Sequence, residues 1–210
     1  MRQGTITPVG RFAPDFGARL KSLNAGLLAT CLDPLPLRAE QRAGLRPAAV
    51  LLALRDGVEG PELLLVRRAD HLDEHAGQVA LPGGRMDERD SHPAATALRE
   101  AREEVGLDLA CVLLLGALTP LQVPVSRHHV VPVVGWLAAG AEVGIASEET
   151  AEAWFTPLVQ LLESARPALL RGLPGWEYHL PGARVWGMTA LVLADLFRRL
   201  ADGAGATRGA

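Results

Sequence analysis

Three glutamates, Glu100, Glu103 and Glu104, are the residues of this chain best suited to chemistry. A helix advances about 100° per residue, so these side chains share one patch and their negative charges repel one another. A hard divalent cation bound among them removes that repulsion, because Mg²⁺ and Mn²⁺ prefer oxygen ligands. The spacing therefore predicts a metal-dependent enzyme. The alternative is a solvated acidic helix with Glu–Arg pairs, such as Arg99 with Glu103 at i,i+4.

A helix over residues 92–105 is predicted to carry the glutamates. Asp90 or Ser91 can cap its start, Pro93 suits the first turn, and Gly106 can end it. Asp90 either caps this helix or links the preceding loop to it by hydrogen bonding.

The loop before the helix follows a short predicted strand at residues 78–81 and a break at residues 82–84. Gly83 and Gly84 allow the backbone to turn sharply and to approach a metal site closely. A plain turn that ends a strand is the alternative. Residues 85–90 are predicted to be loop.

The remaining elements follow from apolar periodicity and turn signals. Strands are predicted at residues 48–54, 62–67, 112–118, 130–137, 178–180 and 183–185, and helices within residues 19–32, 37–45, 158–164 and 187–200. Strands on both sides of a central helix, with further helices at the ends, predict an α/β sandwich around a mixed sheet. Residues 1–47 are expected to be an N-terminal extension packed on a domain of residues 48–200, and residues 201–210 a frayed tail.

Composition excludes several classes of function. The formal net charge of −3 gives no electrostatic reason to expect nucleic acid or an anionic membrane as partner. The most apolar run contains Gly116 and Pro120 and is typical of sheet, so no membrane span is expected. Cys31 and Cys111 have no disulfide-framework or metal-ligand spacing, which favours a reducing, cytoplasmic location.

With these residues identified, the chain resembles the Nudix hydrolases. The family pattern is Gly, five residues, Glu, seven residues, then Arg-Glu-apolar-any-Glu-Glu-any-Gly-apolar, and Gly84 and residues 99–107 match it. Asp90 stands where the family has Glu, and eight residues separate it from Arg99 instead of seven. This variant spacing resembles the coenzyme A pyrophosphatase branch, which has the same extension and often an Asp.

A second signature upstream resembles the same branch, whose pattern is Leu-Leu-Thr-x-Arg-(Ser/Ala)-x3-Arg-x3-Gly-x3-Phe-Pro-Gly-Gly. The chain agrees at Arg68, Ala69, Gly77 and Pro82-Gly83-Gly84. Val66, Asp73 and Leu81 depart from the Thr, Arg and Phe positions. Asp73 matters most, because arginine forks are how proteins bind phosphates. With later similar segments, the resemblance covers residues 48–200.

The resemblance implies a Nudix-type α/β/α sandwich with a mixed central sheet and a catalytic loop-helix-loop. It implies that Glu100, Glu103 and Glu104 bind Mg²⁺ or Mn²⁺, and that Arg99 orients a glutamate instead of touching substrate. Bound metal would bridge diphosphate oxygens and lower the pKa of an attacking water.

Substrate contacts are expected from Arg68, His75, Gly83 and Gly84. Arg67 and Arg68 alternate across a strand, so one of them faces the cleft, and Arg68 is the expected one; surface positions are the alternative for Arg68 and His75. The general base stays open among residues of two groups: Glu148, Glu149 and Glu152 in a later loop, and Glu103 and Glu104 on the helix. Trp154, Phe155 and Trp186 form either pocket walls or core.

The predicted reaction is hydrolysis of a diphosphate joined to a nucleoside. Coenzyme A is the favoured small-molecule substrate, giving 4′-phosphopantetheine and adenosine 3′,5′-bisphosphate. ADP-ribose, NADH and nucleoside triphosphates are the alternatives within the class, and a catalytically silent Nudix-fold binding protein is the alternative outside it. The branch is often dimeric, and the apolar terminal helix would permit a homodimer.

Overall fold

A mixed sheet forms the centre of the molecule. The computed structural model describes residues 12, 15–40, 44–170 and 172–206, and the strands and helices below are those of this part of the chain. Its strands are β1 (Arg46–Arg55), β2 (Glu62–Arg68), β3 (Val79–Ala80), β4 (Gly83–Arg85), β5 (Val112–Ala117), β6 (Leu121–Val123), β7 (His128–Leu137), β8 (Thr150–Pro157), β9 (Ala165–Leu170), β10 (Leu173–Leu180) and β11 (Ala183–Val185). The central sheet has the order β3-β2-β1-β7-β5, with β4 beside β1, β6 beside β7 and β8 beside β2.

β1 and β7 form the parallel pair at the middle of this sheet, and the other pairs are antiparallel. Both strands are long apolar runs because helices cover both faces of the sheet, which leaves no solvated face to carry alternating polar residues. The predicted mixed sheet is confirmed.

Helices pack on both faces of the sheet. They are α1 (Phe16–Lys21), α2 (Ala25–Ala29), α3 (Pro93–Val105), α4 (Leu158–Ser164) and α5 (Gly187–Ala206), together with a 3-10 turn at Leu109–Cys111. α3 packs alone among them against one face, and its core includes Ala97 and Val105. The other four helices contribute to the core on the opposite face, where Phe16, Leu28 and Phe197 are buried. This is the predicted α/β/α sandwich.

A second, three-stranded sheet of order β11-β10-β9 adds to the face covered by α5. Residues 165–177 look like a Pro/Gly-rich loop in the sequence, but residues 165–170 and 173–177 belong to the paired strands β9 and β10. β9 tolerates Pro167 because it is an edge strand, whose outer side has no ladder to interrupt. In the core of this face, Tyr178 packs against Phe197 with ring centroids 6.2 Å apart.

Two further predictions about the chain need correction. Residues 37–45 do not form a helix over their described parts, 37–40 and 44–45. Pro34 and Pro36 precede this segment and disfavour a helix at its start, and the Leu37 side chain is 84% exposed instead of packed on the sheet. The terminal helix continues to Ala206, beyond the predicted end at Leu200, because its apolar face still packs on the sheet at Leu200.

Parts of the predicted terminal segments lie outside the described residues. These are residues 1–11, 13–14 and 41–43 of the N-terminal extension and residues 207–210 of the tail. Within the described chain, no helix combines the length and hydropathy that crossing a membrane requires.

Candidate active site

Alanines bring the glutamate helix α3 close to the central sheet. Ala94, Ala97 and Ala101 recur at helical spacing and are fully or almost fully buried. Their small side chains let the helix backbone approach β1, and the glutamates then project from the flank of the helix beside β4. The sequence therefore sets the distance from the glutamates to the sheet through residues that carry no chemistry themselves.

His92 caps the start of α3. Its Nδ1 accepts a hydrogen bond from the Ala95 backbone N–H at 3.1 Å, so the predicted caps, Asp90 and Ser91, are wrong. Histidine is not among the preferred capping residues, and no local signal distinguished it. Gly106 ends the helix with φ of 64°, a left-handed conformation that glycine adopts without strain, as predicted.

The glycine turn of β4 lies directly against the glutamates. The Gly83 backbone N–H donates a hydrogen bond to Glu104 Oε2 at 3.2 Å. A Cβ atom at Gly84 would overlap the Glu100 carboxylate, and one at Gly83 would overlap the backbone of Val50. Gly83 is therefore required for the close approach to β1, and Gly84 leaves room for the Glu100 carboxylate in its present position, so the turn does more than end a strand.

Arg99 binds the acidic groups around it through all its nitrogens. Its Nη1 donates to Glu103 Oε2 at 2.9 Å, and its Nη2 lies 2.9 Å from Glu100 Oε1 and 3.0 Å from Asp90 Oδ2. Nη2 also donates to the backbone oxygen of Arg85 at 3.0 Å. Arg99 thus holds two of the glutamates and the loop before the helix together.

Asp90 links the loop to the helix. Its side chain is almost fully buried; it accepts a hydrogen bond from the Asp87 N–H at 2.8 Å and one from Arg99 Nε at 3.1 Å. Burial raises the pKa of Asp90, but the hydrogen bonds from Arg99 and the Asp87 N–H outweigh it and hold the pKa below its usual value. Of the two roles considered for Asp90, the geometry supports the link and excludes the helix cap.

The glutamates differ in their electrostatic surroundings. Burial is the main reason that the pKa of Glu104 is raised to about 7. The hydrogen bond from the Gly83 N–H and the charge of Arg68 lower this pKa, whereas the charges of Glu100 and Glu149 raise it. Burial also raises the pKa of Glu100, where Arg99 opposes the shift. Two crowded, partly buried carboxylates repel each other as anions unless a cation joins them.

Arg68 and Glu149 form an ion pair next to Glu104. Arg68 Nη2 lies 3.3 Å from Glu149 Oε2, and the charges of both residues affect the pKa of Glu104. The loop that carries Glu149 is fixed at two points. Ala146 N–H donates to the Glu104 backbone oxygen at 3.1 Å, and Ala69 N–H donates to the Glu149 backbone oxygen at 2.8 Å.

Arg67 points to the other side of β2. Its Nη2 donates to the Gly182 backbone oxygen at 3.0 Å, and its Nε lies 3.4 Å from Glu152. The alternation predicted from the sequence is therefore present, with Arg68 on the side of the glutamates. Glu152 is drawn to the opposite side, whereas the charge of Glu149 acts on Glu104.

His75 and the aromatic residues are not assembled with the glutamates. His75 is exposed in the turn before β3, where its Nδ1 lies 3.0 Å from Gln78 Oε1. Trp154 and Phe155 are neighbours on β8 and pack on opposite faces of the sheet, while Trp186 is 41% exposed. These aromatics cannot form one wall of a pocket.

An open depression of about 840 Å³ runs along the solvent side of α3. It is lined by Arg99, Arg102 and Glu103 and by the apolar side chains of Leu98 and Leu109. Space for one part of a ligand is therefore available directly beside Glu103.

The donor set fits a divalent cation by its chemistry. No three carboxylate, imidazole or thiol groups in the described chain already converge as metal ligands, because Glu100 and Glu103 are paired with Arg99. The group nevertheless supplies oxygen donors from three carboxylates, two of them partly buried against a glycine cradle that a Cβ atom would fill. Such a set suits Mg²⁺ or Mn²⁺ and not a soft metal.

Comparison with known proteins decides the family. A model described as the NUDIX domain matches residues 44–173, more than half of the chain. The chain belongs to the Nudix hydrolase family. This Nudix enzyme is a pyrophosphohydrolase that acts on derivatives of nucleoside diphosphates, and enzymes of its family generally use divalent metal ions.

Relatives agree with this assignment along most of the chain. The Nudix hydrolase NudL of Yersinia pestis (strain Pestoides F) is 38% identical over 167 residues, covering 74% of this chain and 80% of the Yersinia protein. NudL of Yersinia pseudotuberculosis serotype O:1b (strain IP 31758) gives the same values. The Nudix hydrolase RenU from M. smegmatis has a TM-score of 0.53 at 19% identity, covering 81% of this chain and 94% of RenU, and it shows the same fold.

Proposed function

We propose that this Nudix enzyme hydrolyses the diphosphate of coenzyme A to 4′-phosphopantetheine and adenosine 3′,5′-bisphosphate, with Mg²⁺ or Mn²⁺ held by Glu100, Glu103 and Glu104. The observation that carries the proposal is the contact between Asp90, in the lengthened loop, and Arg99 on the helix. The branch-like Asp90, one residue farther from Arg99 than the general family pattern places its Glu, still reaches Arg99 Nε at 3.1 Å. The variant spacing is therefore compatible with an intact catalytic helix.

The departures from the coenzyme A signature bear unequally on this proposal. Val66 and Leu81 are each 3% exposed and belong to the cores on the two faces of the sheet. Apolar side chains at these positions change packing, not contacts with substrate. Asp73 is exposed, so it is the departure that bears on phosphate binding.

The side chains have distinct roles in the proposed reaction. When bound, the metal ion neutralises charge on the diphosphate and makes water a better nucleophile. Arg68 exchanges its contact with Glu149 for a phosphate oxygen, because a guanidinium binds either anion through the same donors. Glu149, released beside Glu104, accepts the proton of the attacking water. Gly83 and Gly84 bring the backbone close to the diphosphate, and Arg99 positions Glu100 and Glu103.

A substrate panel tests the proposal. Purified enzyme with Mg²⁺ or Mn²⁺ is incubated with coenzyme A, its thioesters, NADH, ADP-ribose and deoxynucleoside triphosphates, and products are separated by chromatography. We expect the highest kcat/KM for coenzyme A. Hydrolysis of ADP-ribose, NADH or a triphosphate without hydrolysis of coenzyme A would contradict coenzyme A as the substrate and would favour the compound that is hydrolysed. The absence of turnover for the whole panel would favour a binding protein.

Glu103→Gln tests the metal ligands, with Glu59→Gln as the matched control because Glu59 is an exposed glutamate in the turn between β1 and β2. We expect Glu103→Gln to lower kcat by about a hundredfold or more and to weaken Mn²⁺ binding measured by calorimetry, since it removes one charged ligand. Equal Mn²⁺ affinity in the two variants would contradict the assignment. Homodimerisation and a cytoplasmic location stay predictions.

A further inference from the structure

A cluster of two arginines and a histidine lies beside the catalytic loop, on the sheet face opposite α3. Its members are Arg46 on β1, Arg85 on β4 and His128 on β7. In the sheet register Arg46 pairs with His128, and Arg85 pairs with Ala48, two residues along β1. Since side chains alternate along a strand, all three project from the same face as Ala48.

Arg85 reaches across β1 to His128. Its Nε donates to His128 Nε2 at 3.1 Å, so that ring nitrogen is an acceptor and the imidazole is neutral. Burial lowers the pKa of His128, and the charges of Arg85 and Arg46 lower it further, whereas Glu74 raises it with the smallest effect of the four. The cluster therefore presents two guanidinium groups held next to a neutral imidazole.

Among the described residues, no carboxylate is paired with either guanidinium group. In the part of the chain that the structure describes, neither Arg46 nor Arg85 forms an ion pair, whereas Arg67, Arg68 and Arg99 each do. A pair of exposed arginines without counter-charge attracts anions, and guanidinium forks match phosphate oxygens.

The position of the cluster relates it to the active site. Arg85 follows Gly84, which contacts the Glu100 carboxylate, and its backbone oxygen accepts the hydrogen bond from Arg99. Consecutive Cα atoms are about 3.8 Å apart, so the cluster begins one residue from the glycine that meets the Glu100 carboxylate, on the other face of β4. A ligand that lies across the edge of β4 would contact both.

We infer that Arg46, Arg85 and His128 form a binding site for a phosphate monoester carried on the substrate's ribose. This inference rests on the proposed function, because the adenosine ribose of coenzyme A carries a 3′-phosphate one sugar ring away from the diphosphate. In the site, the two guanidinium groups bind the phosphate oxygens, and the neutral imidazole keeps Arg85 extended over Ala48. The site distinguishes coenzyme A from dephospho-coenzyme A.

Binding without catalysis tests the site first. Calorimetry in EDTA compares adenosine 3′,5′-bisphosphate with AMP for the wild type, Arg85→Gln, Arg46→Gln and Arg166→Gln. Arg166 is the control because it is an exposed arginine on β9, where it donates to backbone oxygens. We expect the wild type to bind the bisphosphate about tenfold more tightly than AMP, and both cluster variants to lose most of this preference. Arg166→Gln should keep it.

The kinetic arm uses kcat/KM for coenzyme A and dephospho-coenzyme A in the same variants, with circular dichroism to establish that each is folded. The ratio between the substrates should fall about tenfold in Arg85→Gln and stay constant in Arg166→Gln. Equal binding of AMP and the bisphosphate by the wild type, or an unchanged ratio in both cluster variants, would overturn the inference. Selective binding that the cluster variants abolish, with no hydrolysis of coenzyme A, would support the site and overturn the proposed function instead.

Discussion

The two faces of the central sheet are built from different residues. On the face under α3, nearly half of the buried core residues are alanines, among them Ala49, Ala97 and Ala101. On the face under α5, the core contains leucines and large aromatic side chains such as Phe197 and Tyr178. Small residues allow close approach and contribute little apolar area, whereas large ones contribute most of the burial energy. The comparison suggests that the α3 face positions the glutamates and the α5 face stabilises the fold.

The largest expected effect comes from removing bulk on the α5 face. Phe197→Ala should lower the free energy of unfolding by about 3–5 kcal/mol, because Phe197 is fully buried and its loss leaves a cavity. Denaturant titration measures this loss. Kinetics at a temperature where the variant is folded should show kcat close to that of the wild type. A large fall in kcat at full folding would mean that the two faces are not separable.

A substitution from a small to a large side chain on the α3 face tests whether close packing of the helix positions the glutamates. Ala97→Leu should cost about 1–3 kcal/mol of unfolding free energy through overpacking, which is less than Phe197→Ala. By moving α3 away from the sheet it should nevertheless lower kcat about a hundredfold, since small displacements of catalytic groups are costly. Kinetics and denaturant titration are compared with Ala95→Leu, on the partly exposed side of the same helix. If Ala97→Leu keeps its kcat, close approach is not what the alanines provide.

The sequence predicted the α3 face better than the α5 face, because the features of the α3 face depend on residues close together in the chain. The carboxylate patch, the glycine turn and Gly106 are local features, because the regular geometry of one helix or one turn fixes where their residues lie. The β9–β10 hairpin depends on pairing within a Pro/Gly-rich segment, and the short β6 is fixed by its pairing with β7. Neither has a strong local signal.

The same distinction holds within the site. Alternation along β2 is a local rule, and it predicts that only one of Arg67 and Arg68 faces the cleft. The Arg68–Glu149 pair joins residues 81 positions apart, and the Arg85–His128 contact joins residues 43 positions apart. The register of β1 with β4 and β7 creates the second contact, and no spacing in the sequence reports it.

The smallest expected effect is a change in acid stability on the α5 face. Asp195 accepts hydrogen bonds from the Thr119 N–H at 3.1 Å and from Arg199 Nε at 3.1 Å, and it is paired with Arg198. Burial raises its pKa, but these partners outweigh it, so the folded-state pKa lies below the unfolded value of about 3.9. The stabilisation is therefore present above about pH 4 and is lost as the pH falls through the folded pKa.

Asp195→Asn should remove this pH-dependent stabilisation. Its free energy of unfolding should be lower than that of the wild type by about 1 kcal/mol at neutral pH, and the difference should shrink as the pH falls below about 4. Denaturant titrations between pH 3 and 7 measure the two curves. Asp202→Asn is the control, because Asp202 is 70% exposed and an exposed pair with Arg198 contributes little. Parallel curves for Asp195→Asn and wild type would show that the network on α5 does not hold Asp195 as an anion, and the α5 face would then depend on apolar burial alone.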